Sequence, residues 1–133
     1  MEELLIGHER DIRILFHTPK LNADGWVENY LITIKGCGLE ATLPVENPPY
    51  GLPPSVFFEK LSNSWQHWNA VDDWGAIEGE YDLSVKADKL GHIFITACLY
   101  SPGLESEWKA EVTVIVEAGQ LNTLASKAKQ FFG

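Results

Sequence analysis

The sequence predicts an α+β fold: six mostly antiparallel strands in the order β-β-β-α-β-β-β-α, forming a hairpin-rich curved sheet with two helices packed on one face. Three observations predict it. From residue 77 to residue 117, apolar side chains recur at every second position in three successive runs, the period of a strand with one buried face. Turn residues fall where those runs must reverse. Two other segments, 55–68 and 120–132, change to helical spacing.

Residues 11–16 read as the first strand, with Ile12, Ile14 and Phe16 on one face. A loop rich in Asn, Asp and Gly follows over 19–25. Residues 26–35 and 39–45 then form a hairpin. Placing Ile34 opposite Leu39, Ile32 opposite Ala41 and Tyr30 opposite Leu43 leaves Gly36 and Cys37 as a two-residue turn, glycine first. Segment 46–54 carries four prolines and cannot be central sheet, because proline lacks the ladder's donor. It is a crossing segment into a helix over 55–68, entered through Pro53 and Pro54. Phe57, Phe58, Leu61, Trp65 and Trp68 make that helix's apolar stripe, and residues 69–73 read as loop.

The last three strands, 77–87, 92–100 and 107–117, carry the most legible register. Their apolar sets must share a face, since a one-residue slip turns every side chain over. That requirement places Val85 opposite Ile95 and Leu83 opposite Ala97, joined by a Lys89, Leu90, Gly91 loop whose last residue suits a left-handed conformation. It also pairs Leu99 with Trp108 and Ile95 with Val112 around a Pro102-Gly103 turn. Leu121, Leu124, Ala125, Ala128, Phe131 and Phe132 form the stripe of a closing helix over 120–132, with Lys127 and Lys129 near its C-terminus.

At 133 residues and 45% hydrophobic, the chain suits one globular domain over 1–133. Its net charge of -9 argues against electrostatic binding of nucleic acid or of an anionic membrane, and fits a basic protein partner. Neither a signal peptide nor a membrane-spanning run is recognisable, and two cysteines are too few for a disulfide scaffold. A cytoplasmic setting is expected.

Candidate sites are of three kinds. The outer face of the last three strands aligns Glu80, Tyr100 and Glu107 in one row and Asp82, Cys98 and Lys109 in the next, an aromatic flanked by acids that suits protein recognition; the plainer reading is a solvated sheet face. Trp65, Trp68 and Trp74 could line a platform or pocket, or simply seal the helix-to-strand corner. Tyr50, between Pro49 and Gly51, is a candidate anchor on the crossing loop. Glu78, Glu80 and Asp82 alternate on one face, which is commoner for solvated acids than for an acid-base pair. His8, His17, His67 and His92 lack metal-ligand spacing, and His92 faces Asp88 as a turn-stabilising partner. No phosphate-binding loop or nucleophile elbow is present, so no catalytic residue, metal or cofactor is assigned.

Phe57-Phe58, Trp65, Trp68, the strand after Glu78-Gly79-Glu80, Asp88 with Gly91-His92, and the run 117–121 are similar to a family of small bacterial proteins of unknown function, DUF6228. The resemblance covers roughly residues 50–132, the second half being best matched. It implies no activity and carries no catalytic residues over. Small acidic single-domain proteins are also common among toxin-immunity partners, an analogy of size and charge alone.

The reading is therefore a non-enzymatic, immunity-like or regulatory protein that binds a macromolecule through an acidic surface bearing Glu80, Tyr100 and Glu107, or through the crossing loop near Tyr50. The rival is a small-ligand binder or enzyme with an aromatic-lined pocket between helices and sheet, formed by Trp65, Trp68 and Trp74. Homodimerisation through an unpaired edge strand is a further expectation.

Overall fold

The computed structural model describes residues 2–8, 10–67, 72–103 and 107–133. Its strands are β1 (Glu3–Gly7), β2 (Arg13–Leu21), β3 (Val27–Gly36), β4 (Leu39–Glu46), β5 (Asp72–Gly75), β6 (Tyr81–Ala87), β7 (His92–Tyr100) and β8 (Lys109–Glu117); helix α1 (Pro54–Ser64) follows β4 and α2 (Leu121–Phe132) follows β8. They form two four-stranded antiparallel sheets, in the orders β1-β2-β3-β4 and β5-β6-β7-β8. This corrects the expected six-stranded single sheet.

Two strands account for the difference. In β1, three consecutive apolar residues conceal the alternation: Leu4 and Ile6 are buried and Leu5 half-buried. The acidic β5 offers only Trp74 as a large apolar residue, yet its backbone pairs along β6, with Trp74 opposite Leu83. The proline-rich crossing then ends one sheet at β4 and starts the other at β5. Each sheet supplies an apolar face, so Ile14, Phe16 and Ile32 of the first share one core with Leu83, Ile95 and Val112 of the second. The helices pack against each other and close the core with Phe58, Leu61, Phe131 and Phe132. Helical propensity alone could not hold segments of 11 and 12 residues; burial of the apolar stripe does.

Within the paired strands the inward sets are as the alternation requires, but Ile12, Ile77 and Trp108, expected inward, lie just outside β2, β6 and β8 and are 40%, 51% and 42% exposed, and two registers differ by two residues. Leu99 pairs with Ala110 and Ile95 with Val114, so Trp108 lies beyond the ladder and is 42% exposed. Likewise Ile34 pairs with Ala41, and the turn is Cys37-Gly38, with Gly38 taking the positive φ of 77°. A slip of two keeps every side chain on its face, so the pattern of buried positions is indifferent to it. The β6–β7 hairpin has the expected register, with Val85 opposite Ile95 and Gly91 at φ 85°. Strand β6 begins only at Tyr81, because residues 77–80 form a turn in which Gly79 takes φ 78°. Helix α1 ends at Ser64, and the following 3-10 turn, Trp65–His67, replaces the last helical turn expected to residue 68.

Candidate functional site

The crossing segment between β4 and α1 is held at both ends before it presents anything to solvent. Asn47 is buried, and its backbone N–H donates to the Glu28 carbonyl while its side-chain amide donates to the Val27 carbonyl at 2.7 Å. The Trp26 indole N–H donates in turn to the Asn47 carbonyl. A turn then forms as Gly51 N–H donates to the Pro48 carbonyl, and the Trp74 indole N–H donates to the Leu52 carbonyl at 3.0 Å. Pro48, Pro49, Pro53 and Pro54 restrict what remains.

This pinned segment displays Tyr50, 78% exposed, and Leu52, 68% exposed. Ile77, 51% exposed on the β5–β6 turn, lies against it: a Cβ at Gly51 would stand 2.5 Å from the Ile77 Cδ1, so glycine is what permits the contact. Val56 in the first turn of α1 is also exposed. Large apolar side chains gathered on a rigid loop are the physical make-up of a recognition anchor, because little ordering entropy is left to lose on contact. Glu46 and Glu78, both exposed, flank the group in sequence, giving it acidic neighbours.

The other predicted residues are arranged differently. Tyr100 lies beside Lys109 rather than Glu107, and Asp82 aligns with Cys98 and Glu111. Tyr100 and Glu107 still line one shallow groove with Trp108. The Tyr100 hydroxyl is engaged, donating to Asp82 Oδ2 at 2.6 Å; the Asp82 carboxylate, then Cys98, hold the phenol above its ordinary range. Glu80 accepts the Tyr100 N–H with its carbonyl, while its carboxylate turns to the other sheet, where Oε2 accepts the Glu46 N–H at 2.9 Å. Its Oε1 is buried without a hydrogen-bond partner. Glu80 is thus a clamp between sheets, not a member of the acidic row.

Trp74 packs on Tyr81, ring centroids 5.4 Å apart, at the start of β6. Trp65 reaches the far end of that strand, where a Cβ at Gly91 would lie 3.9 Å from its ring. The two indoles therefore do not line one pocket, and Trp68 lies outside the described residues. Leu52 and Ile77 went unrecognised in the sequence: Leu52 is one apolar residue among prolines, and Ile77 fits the β6 alternation so well that it reads as core. The signal that could have found Ile77 is Gly79, a turn residue placed before Tyr81. Among the described residues no group of three or more His, Cys, Asp or Glu side chains could hold a metal ion, and no helix is long and apolar enough to cross a membrane.

No curated protein and no solved structure matches the chain. A family of unknown function, DUF6228, matches residues 5–133, nearly the whole chain rather than the second half that the sequence motifs suggested. With β2 to β8 and both helices inside that span, and β1 entering it at Leu5, the chain belongs to the DUF6228 family.

Proposed function

We propose that this protein is a non-enzymatic binding protein whose Tyr50, Leu52 and Ile77 surface takes a basic, apolar-bearing segment of another protein. The observation that carries the reading is the exposure of Tyr50 and Leu52 on a segment pinned by Asn47 and Trp74, with the exposed Ile77 of the β5–β6 turn lying against Gly51 between them. Fully desolvating one such side chain contributes roughly 1.5–3 kcal/mol, and a preformed loop forfeits little of that to ordering. The exposed carboxylates of Glu46 and Glu78, with the net charge of -9, favour cationic partners and speed their encounter.

Two labelled peptides of one amphipathic pattern, Lys/Leu and Glu/Leu, test it by fluorescence anisotropy. The Lys/Leu peptide binds, with affinity falling as salt rises, and the Tyr50→Ala/Leu52→Ala variant binds about tenfold or more weakly, the scale of losing one anchor. Equal binding of both peptides, or indifference to the double substitution, contradicts the reading.

A further inference from the structure

Strand β8 ends its sheet, pairing with β7 alone among the described strands. The other sheet ends are blunted. Strand β4 carries Pro44 and two exposed acids, Glu40 and Glu46; β5 has four residues; β1 has five and stops at Gly7, φ 105°. By contrast β8 runs nine residues in unbroken register with β7, with neither proline nor glycine. Its inward side chains are also incompletely covered: Ala110, Val112 and Val116 keep 7–8% exposure, whereas Ile93, Ile95, Ala97 and Leu99 on β7 keep none.

The sequence of β8 complements its own reverse. An antiparallel partner strand centred on Thr113 sets Lys109 against Glu117 at each end, Glu111 beside Ile115, and Val112 against Val114. All outward positions are then polar or matched in charge except Ile115, which is 59% exposed in the single chain. The Thr96–Thr113 hydroxyl contact, 2.8 Å, extends naturally to a second Thr113.

We propose that β8 pairs antiparallel with β8 of a second copy about a two-fold axis at Thr113, joining two four-stranded sheets into one continuous sheet. Pairing supplies the edge with backbone partners and covers the last 7–8% of Val112 and Val116 that the single chain leaves open. The inference is independent of the peptide-binding reading. Strand β5, whose Trp74 holds Leu52, is the opposite edge of the same sheet, so a dimer leaves both Tyr50 surfaces open.

Sedimentation equilibrium from micromolar to near-millimolar concentration tests it on the full chain. The protein is expected to show reversible dimer formation. Ile115→Glu sets carboxylates opposite Glu111 twice per dimer and weakens association about tenfold or more, whereas Ile115→Lys, equally polar but opposite in charge, retains it. Because Ile115 is exposed, both variants should fold, which circular dichroism verifies. On a Cys37→Ser background, Thr113→Cys forms an intermolecular disulfide and Thr42→Cys on β4 does not. A monomer throughout that range overturns the proposal. So does equal loss of the dimer in both Ile115 variants, which would point to a merely apolar contact, or a dimer indifferent to Ile115→Glu.

Discussion

The Tyr30 hydroxyl lies 2.7 Å from the Tyr81 hydroxyl, a buried hydrogen bond that joins β3 of one sheet to β6 of the other. Around it, the rings of Phe16, Phe132 and Trp74 meet the two phenols at edge-on and tilted angles. Burial, above all, raises both phenol pKa values well beyond the ordinary range, so the pair stays neutral throughout the native pH range.

Truncating one phenol strands the other. Tyr30→Phe is expected to cost about 1–3 kcal/mol, because the Tyr81 hydroxyl then has lost its buried partner. The double variant Tyr30→Phe/Tyr81→Phe should cost less than the two single costs added together. Urea midpoints for the three variants decide; strict additivity means the hydroxyls do not stabilise as a unit.

Gly7 sits where the β1–β2 connection passes close to the opposing sheet. It takes φ 105°, and a Cβ there would stand 2.6 Å from the Ile12 carbonyl oxygen and 3.2 Å from Val114 of the opposing sheet. Backbone cannot yield as a side-chain tip can. Gly7→Ala should therefore destabilise by about 2–4 kcal/mol, combining left-handed strain with overpacking. Thermal denaturation of the variant gives the value, and an unchanged midpoint is incompatible with this contact.

The β6–β7 hairpin carries a pH dependence. His92 Nδ1 is 2.8 Å from Asp88 Oδ2, and Nε2 is 3.7 Å from Glu117. The hydrogen bond and charge of Asp88 raise the imidazole pKa; the His92 backbone N–H, first, and its ring lower that of Asp88. The imidazolium contribution is complete below pH ~6.5 and disappears as pH climbs through the raised folded value. That of Asp88 is complete above pH ~3.9 and disappears as pH falls through its lowered folded value. Both act together between these limits. Both groups being solvent-accessible, the effect is small; the stability gap between wild type and His92→Gln should narrow from pH 5.5 to pH 8. A gap that widens has the wrong sign for this pair.

Gly51 separates folding from presentation. Its missing Cβ admits Ile77, and the obstructing atoms belong to a movable side-chain end. Gly51→Ala should leave stability within about 1 kcal/mol, as for surface substitutions, while displacing Ile77 and weakening Lys/Leu peptide binding. Undiminished binding alongside a native denaturation curve removes Ile77 from the surface.

Face assignment was the legible part of this fold. The period of two put Leu83, Ile95 and Val112 inward, and all three are buried. Pairing was less so, since a two-residue slip preserves faces and glycines on both sides of Cys37 allow either turn. Strand β5 could not be read because what makes it a strand is the open edge of β6, a neighbour fixed only in three dimensions. The same holds for the candidate surface. Tyr50 stands out locally between Pro49 and Gly51, but the approach of Ile77 to the neighbouring Gly51 depends on a turn closing across more than twenty residues.

Backbone amide shifts recorded while the Lys/Leu peptide is titrated into the protein test the binding surface most directly. The expected perturbations centre on Tyr50, Leu52, Ile77 and the Trp74 indole N–H, and leave the Tyr100–Trp108 groove unmoved. Perturbations gathered around Tyr100 and Trp108 instead, or none at saturating peptide, would contradict the assignment of recognition to the pinned loop.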